Sequence, residues 1–428
     1  MQTNIKEKKH PDAAIAEQIL RSCVHCGFCN ATCPTYQLEG IEQEGPRGRI
    51  YLIKGVLEDS IPLSRKVVSH LDSCLSCLSC ETTCPSGVRY SHLIDSARHR
   101  IETTFSRSFS EKLNRKMLAW LLPNPGWFRL ALRLGKIGKL FAFLMPGSLA
   151  AMVRMIPLIL PRPSSLSKRR FHLPDGKRRA RVALLTGCAQ QVLGPEINEA
   201  SIRLLTRLGC EVIIPPDQKC CGALVFHMGN HHNSLGDMKR NIDLWYSELS
   251  EGKLDYIVIN TSGCGVVVKD YGHIFRDDKK YRDKAKVVAE KSRDITEVIE
   301  AIGMPKGTAP TAEGVRVAYH DACSLQHGQK IRELPRQLLA QAGFQVMDIP
   351  QGHLCCGSAG TYNMLHPHTA KALGEWKRDH IDSVDAQLVA AGNIGCMEQI
   401  SSYSKKQVFH TVQLLDWATG GPRPPGVR

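Results

Sequence analysis

The chain has 428 residues, 43% of them hydrophobic, and a formal charge of +15. That length allows two or three domains with real cores, and the hydrophobic share is ordinary for a soluble protein. The basic balance would suit nucleic acid, a membrane surface or acidic partners, but no nucleic-acid reading motif occurs, and the charge does not count thiolates. The opening MQTNIKEKKHPDAAIAEQIL lacks the apolar core of about 7–15 residues that a signal peptide needs. The longest apolar stretch, Leu144 to Leu160, is broken by Pro146, Arg154 and Pro157 and is too short to span a bilayer. These features predict a cytoplasmic protein with reduced thiols.

Eight of the seventeen cysteines form two copies of one pattern: Cys23-x-x-Cys26-x-x-Cys29-x-x-x-Cys33-Pro34 and Cys74-x-x-Cys77-x-x-Cys80-x-x-x-Cys84-Pro85. This is the bacterial ferredoxin spacing for [4Fe–4S] clusters. Soft thiolates suit iron–sulfur clusters, and two-residue gaps let a short loop wrap one corner of a cubane. The fourth cysteine serves the other cluster in two-cluster ferredoxins. On that rule Cys23, Cys26, Cys29 and Cys84 hold one cluster, and Cys74, Cys77, Cys80 and Cys33 the second. Zinc would need only four ligands per site and no Cys-Pro closure, and disulfides would need a secretory route.

Between the motifs, GPRGRIYLIKGVLE reads as a turn followed by a helix, and after Cys84 VRYSHLIDSARHRIETTF has helical periodicity. Long helical spacers predict an all-helical ferredoxin-like domain over residues 1–105. Arg47 and Arg49 read as a solvated helix start; the alternative is that they steady cluster charge or contact a partner. Residues 106–180 mix Trp120, Trp127, Phe128, Phe141 and Phe143 with Arg129, Arg133, Lys136 and Lys139. This is a basic amphipathic helical connector, packed against its neighbours or docked to a membrane surface or partner. Its end, RPSSLSKRRFHLPDGKRR (162–179), reads as a linker.

The remainder is duplicated. RVALLTGCAQQ (181–191) aligns with RVAYHDACSLQ (316–326), DQKCCGALVF with GHLCCGSAGT, and DYIVINTSGCG with AQLVAAGNIGCM. Cys188, Cys220 and Cys221 recur 135 residues later as Cys323, Cys355 and Cys356; Cys264 recurs 132 residues later as Cys396. Each copy (181–300 and 301–428) reads as strand, helix, strand, helix, strand, with parallel strands buried on both faces. The cysteines fall at or beyond the strands' carboxyl ends, the ligand-binding edge of an open α/β sheet. Each quartet therefore converges on one volume and is a candidate metal site. Competing readings are buried small hydrophobes and a thiol or persulfide redox site without iron. Cys210 has no counterpart in the second copy, where Phe344 stands, and reads as core. His227, His231, His232, His320, His327, His366 and His368 lie near these cysteines, and an ordinary structural role is expected of each.

With both motif sets in place, the chain resembles the iron–sulfur subunits of bacterial glycolate oxidase (glycolate dehydrogenase). CVHCGFCNATCPTY, CLSCLSCETTCPSGVRYSHLIDSAR, HDACSLQHGQ and CCGSAGTYN carry the resemblance. The duplicated half resembles the CCG (cysteine-rich) domains of heterodisulfide reductases, lactate-utilisation proteins and the anaerobic glycerol-3-phosphate dehydrogenase electron-transfer subunit. It departs from some of them in lacking a closing Cys-x-x-Cys: Gly265, Val266 and Val267 follow Cys264, and Met397, Glu398 and Gln399 follow Cys396. Additional clusters in the repeats therefore stay open. No GxGxxG follows a predicted strand and no acid–base pair suits alcohol oxidation. The resemblance implies a complex in which FAD-containing partner subunits oxidise glycolate to glyoxylate. This chain would have no catalytic residue of its own and would relay electrons to a quinone-type acceptor, in the cytoplasm or peripherally on the cytoplasmic face of the inner membrane. A lactate or glycerol-3-phosphate dehydrogenase subunit, or a heterodisulfide-reductase-like enzyme, are the alternatives.

Overall fold

The computed structural model describes residues 1–5, 13–139, 152–153, 155–157, 159–304 and 312–427. Phe141, Phe143, Pro146 and Arg154, which the sequence reading singled out, lie outside them. From residue 13 to 139 the described elements are all helical. Pro46–Leu57 starts on a proline at its first turn, where the missing N–H costs nothing. It packs with Ala13–Ser22, Arg65–Asp72 and Tyr90–Thr104 around Leu20, Ile50, Ile53, Leu71, Leu93 and Ile94. Both helices expected from the sequence between and after the motifs are present.

Two helices follow, Phe109–Leu121 and Pro125–Gly138. Their inner face buries Leu118, Leu122, Phe128 and Leu132 against Val192 and Met228. Arg115 donates to the Met228 carbonyl at 2.6 Å, and Arg129 to the Gln191 carbonyl at 3.1 Å. Trp120, Trp127, Leu134 and Ile137 stand exposed on the outside. Among the described residues no helix is long and apolar enough to cross a membrane.

The segment read as a linker is partly structured. Phe171–His172 (β1) pairs antiparallel with Cys210–Ile213 (β3) at the edge of a sheet. That sheet runs β1-β3-β2-β4-β5, with β2 Ala180–Leu185, β4 Tyr256–Ile259 and β5 Ser292–Asp294, all parallel except β1. The second sheet runs β7-β6-β8-β9: Gln345–Asp348, Arg316–His320, Leu388–Ala391 and Gln407–His410, all parallel. Each repeat thus has one more parallel strand than the sequence suggested, and the order of the four is the same in both. One apolar core runs between the sheets, joining Val182 and Leu184 to Val317 and Tyr319. Cys210 is fully buried in it, as expected. At its rim Asp416, 1% exposed, accepts from Arg203 at 2.6 Å and also pairs with Arg207.

Candidate functional site

The two ferredoxin-type loops share a backbone course. His25 and Gly27 in the first, and Ser76 and Leu78 in the second, adopt left-handed conformations at matching positions. These residues turn the chain around a centre. The fourth cysteine of each run has crossed over. Cys29 sits among Cys23, Cys84 and Cys26; burial, then Cys23, pushes its thiol up to about 11. Cys80 lies among Cys77, Cys74 and Cys33, and burial drives it well above the ordinary thiol value. The eight cysteines gather in two groups, Cys23, Cys26, Cys29 and Cys84 in one and Cys33, Cys74, Cys77 and Cys80 in the other.

The groups differ in surroundings. Cys26 is exposed, whereas Cys33, Cys74, Cys77 and Cys80 are all buried. Arg49, 1% exposed, does not begin a solvated helix. It donates to Glu44 at 2.7 Å, to Ser73 Oγ at 2.9 Å and to the His70 carbonyl at 2.7 Å, and its Nη1 points at Cys33 Sγ 3.9 Å away. Tyr90 Oη approaches Cys74 Sγ at 3.8 Å. Arg47 is the solvent-side member of the pair, bridged to Glu42 at 2.6 Å.

The quartets of the repeats assemble as the topology requires. With the first strand at the centre, the second on one side and the third on the other, the switch point lies beyond the first and third strands. Cys188 and Cys264 leave those strands in one repeat, Cys323 and Cys396 in the other, and the adjacent cysteine pair arrives from the second strand. Cys188 Sγ is 3.5 Å from Cys220 Sγ, and Cys323 Sγ is 3.9 Å from Cys355 Sγ. Cys221 faces Cys264, and Cys356 faces Cys396. Gly222 and Gly357, which close the two Cys-Cys-Gly turns, have φ of +84° and +88°, a conformation that glycine adopts without strain. The quartets adjoin: Ser262 Oγ lies 2.7 Å from Ser324 Oγ, and Asn393 donates to Ser262 at 3.0 Å.

The helical region docks onto this edge. Asp95 meets His227 at 3.0 Å, His92 meets Asp270 at 3.1 Å, and Thr82 Oγ1 lies 2.8 Å from His327 Nδ1. Cys77 is thereby set against Cys323 and Cys355. Between the parts lies a cavity of about 1090 Å³ that reaches Cys74, Cys84, Cys188, Cys221, Cys264 and Cys323. None of the seventeen cysteines is paired in a disulfide. Thiols gathered in fours form a poor core but a ready donor set for iron, which bonds the thiolate and supplies the opposing charge. Of the histidines, His231 stacks on Phe226 and His99, and His366 on Tyr362. Sequence reasoning missed Lys377, buried beside Cys355 and Cys356. Aligning the repeats position by position would have found it, opposite an isoleucine.

Residues 19–88 match the family described as a 4Fe-4S dicluster domain, and residues 182–269 and 317–401 each match the cysteine-rich CCG domain. The chain is 39% identical over 420 residues to the glycolate oxidase iron–sulfur subunit of Escherichia coli (strain K12), covering 98% of this chain and 99% of that protein. It belongs to the family of glycolate oxidase iron–sulfur subunits. A Bacillus subtilis (strain 168) protein named "Probable glycolate oxidase iron-sulfur subunit" is 30% identical, with 98% and 99% covered. Lactate utilization protein A of the same organism is 28% identical over 55% of this chain and 99% of its own length. A crystal structure of a hypothetical protein from Helicobacter pylori shares the fold, with a TM-score of 0.55 and 13% identity over 96% of this chain and 72% of that one. As a member of this family, the chain is an iron–sulfur protein carrying two [4Fe–4S] clusters.

Proposed function

We propose that the chain is the electron-transfer subunit of a glycolate dehydrogenase (oxidase) complex that oxidises glycolate to glyoxylate. Near-full-length similarity to the E. coli subunit carries this reading. FAD-containing partner subunits take the hydride equivalent, so this chain is not itself the substrate-oxidising subunit. Bound iron–sulfur clusters supply one-electron chemistry. Cys23, Cys26, Cys29 and Cys84 would hold one cubane, and Cys74, Cys77, Cys80 and Cys33 the other. Cys188, Cys220, Cys221 and Cys264, and Cys323, Cys355, Cys356 and Cys396, would hold further iron–sulfur sites. The protein's work is to bury these donors, exclude water from them and fix their spacing. The guanidinium of Arg49 offsets negative charge at the second cubane.

We divide the chain into an all-helical ferredoxin-type domain (1–105), a helical connector (106–180) and two CCG domains (181–300 and 301–428). A quinone-type acceptor suits the apolar end of the cavity, walled by Leu118, Leu122, Phe128 and Leu132; the other end is walled by the cysteines assigned to iron–sulfur sites. The exposed Trp120, Trp127, Leu134 and Ile137 above it suit peripheral contact with the inner membrane. The test is substrate-dependent quinone reduction in host extracts with and without this chain, across glycolate, both lactates and glycerol 3-phosphate. Loss of glycolate activity alone is expected on deletion. Loss with lactate instead would move the complex to the reading that similarity to lactate utilization protein A favours. No loss with any substrate would refute the relay role.

A further inference from the structure

The two repeats differ chemically where their quartets lie. The 135-residue offset that relates Cys188 to Cys323 sets His320 opposite Leu185 and Lys377 opposite Ile242. Leu185, 2% exposed, packs in the same apolar cluster as Cys188, Cys220 and Cys221. His320 ends strand β6 and is 1% exposed, and neither Nδ1 nor Nε2 has a hydrogen-bond partner. Leaving a buried polar group unsatisfied costs on the order of 1–3 kcal/mol, and such a group in a native core calls for an explanation such as an ion. A ring nitrogen of His320 and the Sγ atoms of Cys356 and Cys396 all lie within 4.8 Å of one another. Metal–ligand bonds of about 2.0–2.3 Å put two ligands of one tetrahedral centre roughly 3.5 Å apart, so small side-chain movements bring the three onto shared metal. Cys355 adjoins Cys356, and its Sγ is 3.9 Å from that of Cys323. Four thiols and one imidazole therefore face a single volume.

We propose that His320 is an iron ligand in the second repeat, which makes that site a mixed histidine–cysteine iron–sulfur centre, while the first repeat binds through cysteine alone. The inference rests on the reading of both quartets as iron–sulfur sites. It supplies the fifth donor that a four-cysteine repeat lacks. It also gives the repeats different potentials. A neutral imidazole leaves the site less negative than a thiolate would, and histidine for cysteine raises the potential in Rieske centres. The Lys377 amine, 3% exposed on helix Pro367–Asp382, faces Cys355, Cys356 and Cys396 and acts in the same direction. The second repeat is thus the more easily reduced of the two, and it is the one that meets Cys77.

The test uses the full chain purified anaerobically with ⁵⁷Fe, as wild type, His320→Cys and His320→Leu. Iron and zinc are counted and Mössbauer spectra, which register every iron whatever its spin state, are recorded oxidised and reduced. Wild type should contain clearly more than the roughly eight irons of two cubanes and one iron subsite with the larger isomer shift of nitrogen coordination. His320→Cys should keep the iron and lose that subsite, and its second-repeat potential should fall. His320→Leu should lose iron from the second repeat only. Superimposable spectra of wild type and His320→Cys, with iron above eight, would overturn histidine ligation while leaving the quartets as iron sites. About eight irons in wild type, or zinc in the repeats, would overturn both.

Discussion

Replacing Arg49 by methionine keeps the length of the side chain and removes its charge from a site that is 1% exposed. Glu44, 13% exposed, would then be left without its cation. Burial alone pushes the Glu44 carboxyl up. Hydrogen bonds from Ser73 and His70, together with the Arg49 charge, outweigh that and hold it below its ordinary value. Breaking one side of a buried pair costs about 3–5 kcal/mol. His70 Nδ1 still sits 2.6 Å from Glu44 and compensates in part, so the lower end, about 3 kcal/mol, is expected. Arg49 also ties Pro46–Leu57 to the His70 carbonyl and to Ser73, just ahead of Cys74. The loss should therefore show as a lower denaturant midpoint and as easier release of the cubane held by Cys74, Cys77, Cys80 and Cys33. Anaerobic unfolding with parallel iron analysis reads both. Adding Glu44→Gln should recover much of the loss, because it removes the stranded carboxylate. If Arg49→Met changed stability by less than about 0.5 kcal/mol, the range of ordinary surface substitutions, or if the double variant fell by the sum of the singles, the ion pair would not be what holds this region.

Cys84→Ala takes a donor from the cluster of the first motif and the anchor from the second loop, so anaerobic iron analysis should show a loss greater than the roughly four irons of one cubane; loss of a single cubane would refute the coupling of the two sites. Gly229 has φ +85°, and an added Cβ would lie 2.4 Å from the Arg98 carbonyl oxygen. Gly229→Ala cannot be accommodated without parting the helical region from the first repeat, so limited proteolysis should cut between them faster than in wild type. Burial raises the Asp294 carboxyl to about 6 from 3.8. A raised folded value means that its contribution is complete below 3.8 and is lost as pH climbs through 6. About 1.4 kcal/mol should disappear between pH 5 and 8. Asp294→Asn, which still caps the helix Ile295–Ile302, should flatten that part of the midpoint-against-pH curve; an unchanged slope would refute the assignment.

Much of this was legible because it is written in spacing. The crossed cysteine sets are read from two regular runs, and the quartets from a repeat whose offset is 135 residues for three cysteines and 132 for the fourth. What escaped had no periodic signal. Strand β5 is Ser-Arg-Asp, too short and too polar to read as a strand, yet it pairs parallel with β4 because the sheet's edge offers it partners. Phe171–His172 sits among basic and proline residues that argue for a linker, and two residues suffice to add an edge. Arg49 looked like any cation at a helix start. Its burial depends on Glu44, Ser73 and His70 closing over it, a tertiary arrangement that local charge does not encode.

The exchange of Cys33 and Cys84 has a consequence for assembly. Neither cubane site exists until both loops are in place, since each borrows a sulfur from the other motif across about fifty residues of chain. Closing such a loop has an entropic cost that grows only slowly with its length, so whichever site is completed first meets most of that cost for the second. Filling should therefore be cooperative, with singly loaded chains scarce during maturation. Damage should run in reverse: oxygen attack at the site with the exposed Cys26 loosens the anchor that Cys84 gives the second loop, and both clusters are lost in step.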